Sequence, residues 1–277
     1  MTPSTRAWLQ IHFCVILWGF TAILGRAITL QALPLVWLRM IVVTAALLLF
    51  PAFWRGLVGM SPRLIATYAG IGVLVTAHWI TFYSAIKLAN ASVAATCMAV
   101  TPVFVAIVEP FLARRRFNVR ELFFGVATIP GVALVVGGTP VGMRAGIAVG
   151  IASAFFASLF SALNKRFVEH GAAITVTGLE MAAGAVCLTF ISPLVWPSRH
   201  DAILIVVLAI ACTLVPYVLS LVALRHLTAF SASLAVNMEP VYAIVLAILL
   251  LGEQRELTLT FYAGVAIVFA AVFSHRR

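Results

Sequence analysis

Apolar runs of about 20 residues follow one another along almost the whole chain, and this pattern constrains the fold more than any other feature. A helix that crosses a membrane needs about 20 predominantly apolar residues. The composition agrees, because 64% of the residues are hydrophobic and only 9% are charged, too few to cover a surface that faces water. The sequence therefore predicts an all-α integral membrane protein.

Charged residues and Pro or Gly breaks divide the chain into ten apolar segments. They cover roughly residues 7–29, 33–54, 64–86, 91–112, 119–138, 144–166, 173–195, 202–224, 228–251 and 257–274. The first run is too long for the apolar region of a signal peptide and is interpreted as a spanning helix. Ten helices leave only short loops, and no G-x-x-x-x-G-K-[ST] motif is present. These features exclude an ATP-driven pump with its own nucleotide-binding domain.

Basic residues between the segments predict the orientation of the chain. With the N-terminus in the cytoplasm, twelve Lys and Arg residues fall in the inside loops and tails and five in the outside loops. The outside five are Arg26, Lys87, Arg144, Arg199 and Arg255. This bias predicts both termini in the cytoplasm, with the chain in a bacterial inner membrane. The net charge of +10 forms no long basic tract, so nucleic acid is not an expected partner.

The residue types that build metal and catalytic sites are sparse. The four cysteines lie in apolar segments without C-x-x-C spacing, at Cys14, Cys97, Cys187 and Cys212. No disulfide framework, metal site or cofactor is therefore predicted. An aspartyl membrane protease needs two Asp residues in its helices, whereas the one Asp of this chain, Asp201, is predicted in a loop. An intramembrane enzyme is disfavoured, and no catalytic residue is assigned.

The second half of the chain repeats the first. Residues 83–103 align without gaps with residues 221–241 at an offset of 138, which pairs Lys87 with Arg225 and Pro102 with Pro240. The repeat predicts two domains of five helices each, residues 1–140 and 141–277. Because five is odd, the second copy enters the membrane from the opposite side, as in the inverted repeats of secondary transporters. Two such copies offer two near-equivalent packings that would exchange which side is open.

Several motifs resemble those of one transporter family. They are Trp18-Gly19, Pro34 followed by Arg39, the segment Leu234-Ala-Val-Asn-Met-Glu-Pro-Val-Tyr, and Leu251-Gly-Glu-Gln with Gly264. In these motifs the chain resembles the EamA-type members of the drug/metabolite transporter superfamily, along essentially its whole length. The resemblance implies ten helices in two EamA repeats and the movement of small metabolites, often the export of amino acids. The first copy has Arg114-Arg115 where the second has Gly252-Glu253, so any role of that Gly-Glu pair is expected to be asymmetric.

Glu239 and two prolines are candidates for the transport machinery. Glu239 is predicted at the middle of the ninth segment, as the only acid near the bilayer midplane, where an unpaired carboxylate is costly and tends to bind a proton. It could bind a substrate ammonium, carry a coupling proton, or be a neutral structural residue. Pro102 and Pro240 each remove a backbone donor at mid-helix, which allows either a hinge or a simple kink.

Aromatic and polar side chains are predicted to line a cavity suited to an amphipathic or aromatic metabolite. The candidates for substrate binding are Trp18, His78, Trp79, Tyr83, Tyr217, Asn237 and Glu239. His78 is either a proton carrier or a hydrogen bonder between helices. Three further aromatic residues could either line the same cavity or face lipid, and the lipid-facing interpretation is preferred: Phe155, Phe156 and Phe160.

Arg39 and Glu180 occupy matching places in the two copies, at an offset of 141, and carry opposite charges. Arg39 is predicted close enough to the outer face to snorkel, or to guide an anionic group. Glu180 is predicted near the inner face. The two are candidate gating residues at opposite mouths, with Pro102 and Pro240 as candidate hinges.

The sequence therefore predicts a secondary transporter that exports small metabolites, with amino acids as the first choice, by alternating access. Its expected partners are a small-molecule substrate and the lipid bilayer, with the proton as the candidate coupling ion and a monomer as the working unit. A facilitative channel is one alternative, because apolar helices and inverted repeats also occur in channels. A carrier for another metabolite or a drug is the other.

Overall fold

The computed structural model describes residues 2–112, 114, 116–127, 129–236 and 238–274, and within these ranges every regular element is helical. The first half contains α1 (Pro3–Ala27), α2 (Ala32–Leu48), α3 (Pro51–Leu57), α4 (Pro62–Leu88), α5 (Ala91–Met98), α6 (Thr101–Leu112), α7 (Val119–Val126) and α8 (Ile129–Gly137). The second half contains α9 (Arg144–Phe167), α10 (Ala173–Thr189), α11 (Arg199–Ala209), α12 (Val215–Leu224), α13 (Ala229–Val236), α14 (Glu239–Leu246) and α15 (Leu259–Ser274). A π-helical turn, Ile210–Leu214, joins α11 to α12, and a second one, Ala247–Leu251, extends α14.

Several helices begin where the sequence supplies a side-chain cap. Ser61 accepts the backbone N–H three residues on, and Pro62 follows it at a position where a missing N–H costs nothing. Asn90 caps α5 in the same way. Asp201, predicted in a loop, instead lies in the first turn of α11, because Ser198 caps the helix by accepting its N–H.

Six helical stretches in the described part of the chain are long and apolar enough to cross a membrane. They are Pro3–Ala27, Pro62–Leu88, Ala91–Leu112, Val141–Phe167, Arg199–Leu224 and Ala229–Leu251. A seventh arises if α2 and α3 count as one broken span. The remaining apolar segments form shorter helices, namely α10 of 17 residues, α15 of 16 residues, and the pair α7 and α8. The protein is a multi-pass membrane protein, and helix length alone does not reach a count of ten spans.

The second apolar segment is not the single straight helix that the sequence predicts over roughly residues 33–54. The helix α2 ends at Leu48, and α3 leaves it at an angle of 87°. The cause is Pro51, which holds the preceding Phe50 in an extended conformation and starts a new helix with its own fixed φ. Phe53 of α3 is buried against Gly178 of α10, which anchors the bent segment to the second half.

The contacts between helices follow the internal repeat: when the two copies are interchanged, a pair of packed helices corresponds to another packed pair. The helix α4 packs along α9, and the equivalent helix of the second copy, α12, packs along α1. The helix α2 packs against α10, while α5 and α6 pack against α14 and α13. Each of these pairs joins one copy to the other, so the two halves share one interlocked core.

Candidate substrate cavity

A central cavity lies between helices of both halves. The cavity has a volume of about 130 Å³, enough for several water molecules or a small metabolite. Its walls come from α1, α2, α4, α5, α6, α9, α12, α13 and α14. Six of the predicted substrate residues line it: Trp18, His78, Trp79, Tyr83, Tyr217 and Glu239. The seventh, Asn237, lies outside the described residues.

Arg39 also lines the cavity and is held there by three side chains. Its Nε donates to the Thr213 hydroxyl at 2.6 Å, and its Nη1 donates to the Tyr83 hydroxyl at 2.9 Å. Its guanidinium carbon lies 3.8 Å from the centre of the Trp79 ring. Because these partners hold the group inside the protein, the side chain is only 2% exposed. The expectation that Arg39 snorkels to the outer face is therefore wrong.

A π-helical turn places the hydroxyl that receives Arg39. Pro216 lacks a backbone N–H, so the regular hydrogen-bond ladder is interrupted in the turn before it. The Thr213 hydroxyl donates to the carbonyl of Leu208, five residues back, at 2.6 Å. Because the Thr213 hydroxyl donates its proton to Leu208, its oxygen can accept from Nε of Arg39.

Glu239 supplies the opposite charge on the same cavity. It is the first residue of α14, where the positive end of the helix dipole favours a carboxylate. The residue is 8% exposed and forms no hydrogen bond or ion pair with a described residue. It interacts electrostatically with Arg39 without forming an ion pair. The cavity thus presents a guanidinium together with a carboxylate that receives no hydrogen bond from the part of the chain that the structure describes.

His78 joins α4 to α9. Its Nδ1 lies 3.0 Å from the carbonyl oxygen of Ser153 and 2.8 Å from the hydroxyl of the same residue. Because a carbonyl only accepts, this geometry assigns the proton to Nδ1 and leaves Nε2 as the acceptor of the neutral ring. The ring packs against Phe82 and Phe160. His78 is therefore a hydrogen bonder between helices that also lines the cavity.

Phe160 corrects the interpretation of three phenylalanines as lipid-facing. It lines the cavity, and its ring centre lies 5.4 Å from that of His78. Phe155, in contrast, is 40% exposed. Five positions on an ideal helix separate two side chains by about 140°, so the two residues cannot share an environment.

Glu180 lies on α10 behind the cavity wall and is fully buried. The Tyr217 hydroxyl donates to its Oε2 at 2.5 Å, and Nδ2 of Asn164 lies 3.5 Å from the same oxygen. Both Tyr217 and Asn164 line the cavity, so Glu180 adjoins it through these two side chains. Arg39 and Glu180 thus occupy equivalent helices and each bonds to a tyrosine hydroxyl. Their role as gates stays a prediction.

The sequence predicts Pro102 and Pro240 in the middle of helices, whereas the structure places both near the start of a helix. Pro102 follows Thr101 at the start of α6, and Pro240 follows Glu239 at the start of α14. The preceding helices α5 and α13 end at Met98 and Val236, so each segment is divided into two parts beside the cavity. A proline in the first turn of a helix removes no hydrogen bond of that helix, because the N–H groups of the first turn have no carbonyl partner within it. The role of the two breaks as hinges stays a prediction.

Two carboxylates not assigned from the sequence hold the helix ends of the opposite copy. Glu109 accepts the first two backbone N–H groups of α13, both at 3.0 Å. Glu253 accepts the first two of α5, at 3.0 and 2.9 Å, and the Ser92 hydroxyl at 2.7 Å. The sequence feature that could have identified these two residues is a glutamate near the end of both the fourth and the ninth apolar segment.

This pairing corrects the expectation that Glu253 has an asymmetric role. At the repeat offset Glu253 aligns with Arg115, which lies outside the described residues, but Glu109 supplies the equivalent carboxylate from six positions earlier. The backbone at the preceding position also corresponds. Gly252 has φ of 71°, and its counterpart Arg114 has φ of 53°. The first copy therefore keeps the left-handed turn without glycine, in a conformation that disfavours a side chain.

The family model of the EamA-like transporter family matches the chain twice, over residues 6–137 and 144–275. Among solved structures, 24 chains match. One of them, described only as a crystal structure of a protein, has 17% sequence identity and a TM-score of 0.69, over 97% of this chain and 95% of its own. At that identity the likeness shows the fold alone. No curated protein matches the sequence.

Proposed function

Because this chain belongs to the EamA-like transporter family, we propose that it is a secondary transporter that exports amino acids across the membrane by alternating access. The observation that carries the substrate class is the presence of Arg39 and Glu239 on one cavity. An α-amino acid carries a carboxylate and an ammonium on the same carbon. One molecule can therefore engage both groups at once.

The two charged groups suit the two ends of a zwitterion. Nη2 of Arg39 donates to no described residue, and a guanidinium binds a carboxylate with favourable planar geometry. Glu239 receives no donor from the described residues, and a substrate ammonium would supply one. A substrate with a single charge would leave the other group unpaired in a site that excludes most water, which is costly.

The walls beside these charges favour an apolar or aromatic side chain on the substrate. Trp18, Trp79 and Phe160 contribute flat apolar surfaces, and the His78 ring lies beside them. Small-molecule sites typically combine such walls with a few oriented polar groups. The same walls would also accept another amphipathic metabolite or an amphipathic drug, and these are the alternatives for the substrate.

In the membrane, we propose ten spans in two inverted copies, residues 1–140 and 141–277. Both termini lie in the cytoplasm, the membrane is a bacterial inner membrane, and the monomer is the working unit. The shorter helices α10 and α15 and the pairs α2 with α3 and α7 with α8 supply the four spans beyond the six long ones. The exchange of helix contacts under the repeat supports a pseudo-two-fold axis in the membrane plane.

The proposed cycle exchanges substrate for a proton at Glu239. When ionised, Glu239 binds the substrate ammonium, and after the substrate leaves it binds a proton, which removes an unpaired charge from the cavity. The helix breaks before Pro102 and Pro240 allow the half-helices on either side of the cavity to tilt separately. Alternation between two such packings would open the cavity to one side at a time.

Counterflow in proteoliposomes tests this function. The purified chain is reconstituted, and the uptake of each member of a labelled amino-acid panel is measured with and without an internal excess of the same amino acid. Saturable uptake that internal substrate accelerates supports a carrier, whereas conductance far above carrier turnover indicates a channel. Uptake equal to that of protein-free liposomes for the whole panel would contradict amino-acid transport.

A further inference from the structure

The buried carboxylates of this protein differ in the number of donors they receive. Glu109 and Glu253 each accept two backbone N–H groups, one on each carboxylate oxygen. Two such bonds at a helix N-terminus stabilise a carboxylate as an anion. Both carboxyl groups are therefore supplied with backbone donors although they are buried.

Glu180 has no such support. Its Oε2 receives the Tyr217 hydroxyl and faces the Asn164 amide, but its Oε1 has no hydrogen-bond partner among the described residues. The Oδ1 of Asn164 also has none. When Glu180 is ionised, both of these atoms are acceptors, so neither can satisfy the other. Two unpaired acceptors and a buried charge in one place are costly.

No cation among the described residues compensates for a charge on Glu180. The helix α10 packs against α2, α3, α4 and α12. The charged residue of α2 is Arg39, which donates to the hydroxyls of Thr213 and Tyr83. The charged residue of α3 is Arg55, which is exposed. Backbone carbonyls accept from the remaining nearby basic side chains, namely Lys87 of α4, Lys165 and Arg166 of α9, and Arg225 after α12. Arg63 of α4 is exposed.

The titratable groups that do face Glu180 are two tyrosines. Tyr217 comes from α12 and Tyr68 from α4, and both interact with Glu180 electrostatically. The Tyr68 hydroxyl already donates to the carbonyl of Phe167 at 2.9 Å. On the α4 side Gly72 packs so closely that a Cβ there would lie 2.3 Å from the backbone oxygen of Glu180, so the two helices are in direct contact at this point.

We propose that Glu180, Asn164 and Tyr217 form a proton-binding site beside the cavity, separate from Glu239, and that Glu180 holds a proton in the packed arrangement described above. A proton from solution forms an O–H bond at Oε1 and turns that atom into a donor. Oδ1 of Asn164 is an acceptor of the matching kind, while Nδ2 of the same amide faces Oε2. A carboxylic acid and a carboxamide pair in this way with all four polar atoms used.

The consequence for transport rests on the proposed carrier function. Release of the proton leaves an anion that needs water or a cation. Tyr217 and Asn164 separate Glu180 from the cavity, so hydration from the cavity requires Tyr217 to move. The Tyr217 ring also packs edge-on against Trp79, with 6.3 Å between ring centres, and Trp79 stacks on Arg39. Proton release at Glu180 therefore displaces a wall that contacts the substrate site.

Infrared difference spectroscopy of the reconstituted full chain tests the site without any substrate. A protonated carboxyl group gives a C=O stretching band that a carboxylate lacks. We expect such a band at neutral pH and the loss of one component of it in Glu180→Gln. The same component should be retained in Glu239→Gln, which removes only the contribution of a protonated Glu239. Glu253→Gln is the matched control, because Glu253 is buried but accepts two backbone N–H groups, and it should also leave the band unchanged. A band of undiminished size in Glu180→Gln would overturn the proposal.

Two further measurements keep the test decisive. Glu180→Gln should fold, because its amide can donate to Asn164, and if it does not, Tyr217→Phe serves instead. Loss of the hydroxyl donor to Oε2 should then move the C=O band to higher frequency, and an unmoved band contradicts the arrangement. Replacement of K⁺ by Na⁺ at constant pH should leave the band unchanged. A band that Na⁺ abolishes would identify a sodium site and overturn the proton assignment.

The infrared result is independent of the proposed function. If the C=O band is lost in Glu180→Gln but the chain carries no amino acid in counterflow, the proton site stands and the transport proposal fails. If counterflow is observed and the band survives in Glu180→Gln, the transport proposal stands and the proton site fails.

Discussion

At the scale of single residues, Arg39 shows how side-chain shape as well as charge builds the cavity. Its guanidinium makes two hydrogen bonds in its plane, to Thr213 and Tyr83, and presents its flat face to Trp79. A lysine carries the same charge but has neither the planar fork nor the flat face. The orientation of the remaining donors toward the cavity therefore depends on arginine.

Arg39→Lys is expected to raise the KM for a zwitterionic amino acid in counterflow by about ten- to a hundredfold. The reason is the loss of oriented hydrogen bonds to a charged group, each of which contributes about 1.5–3 kcal/mol. Arg26→Lys, at an exposed arginine, is the matched control and should leave KM unchanged. Equal KM values for Arg39→Lys and the parent would remove Arg39 from the substrate site.

Glu239→Gln tests proton exchange at the cavity. In the parent, KM should rise as the pH falls from about pH 8 to about pH 5.5, because protons compete with the substrate ammonium for the carboxylate. In Glu239→Gln, KM should be high and independent of pH, since the amide does not titrate. Glu169→Gln, at an exposed residue, controls for general effects of charge. The same pH profile in Glu239→Gln and the parent, with normal expression, would leave Glu239 a packing residue.

At the scale of helices, the fourth and ninth apolar segments hold each other's ends. The first N–H groups of a helix have no acceptor within that helix. Here the carboxylates of Glu109 and Glu253 supply acceptors from the opposite copy, one at each end of the antiparallel pair. Separation of the two segments at either end must therefore break one of these contacts.

Glu109→Gln and Glu253→Gln are each expected to lower the free energy of unfolding by about 1–3 kcal/mol, because a neutral amide replaces a charged acceptor of two N–H groups. The two losses should add, since the contacts lie at opposite ends of the helix pair. Thermal unfolding of the purified protein in detergent measures both. Glu256→Gln is the control, because exposed Glu256 receives a single bond from Asn90. Unchanged stability in Glu109→Gln and Glu253→Gln would show that the contacts contribute nothing.

At the scale of the whole molecule, polar contacts at one end of the helix bundle join the two copies and also join helices within the first copy. Thr29, which follows α1, donates its N–H at 3.0 Å and its hydroxyl at 2.6 Å to Asp201 at the start of α11. Beside it Lys87 donates to the carbonyl of Ile28 at 2.5 Å. In the proposed topology this end faces outward.

Tag accessibility tests that topology. A tag fused after Arg277 should react with a membrane-impermeant reagent only after the cells are opened, because both termini are proposed to be cytoplasmic. A tag inserted at Trp196, which is 86% exposed between α10 and α11, should react on intact cells. An external tag after Arg277 would contradict the proposed cytoplasmic C-terminus.

The sequence by itself determined the membrane location, the helical class, the internal repeat and the family motifs. These properties depend on the length of apolar runs, on charge between them and on residue order, all of which are local or periodic along the chain. The same reasoning selected six side chains that line the cavity, because polar and aromatic residues within apolar helices are few.

Only the tertiary structure decided which way those side chains face and what they touch. Arg39 is drawn inward by Thr213, 174 residues away, and Glu180 is enclosed by Asn164 and Tyr217 from two other helices. Glu109 takes the place of Glu253 in the first copy although the two do not align. The physical reason is that each of these polar groups is stabilised by partners from helices that meet only when the two copies interlock, and no pattern local to one helix records such a partner.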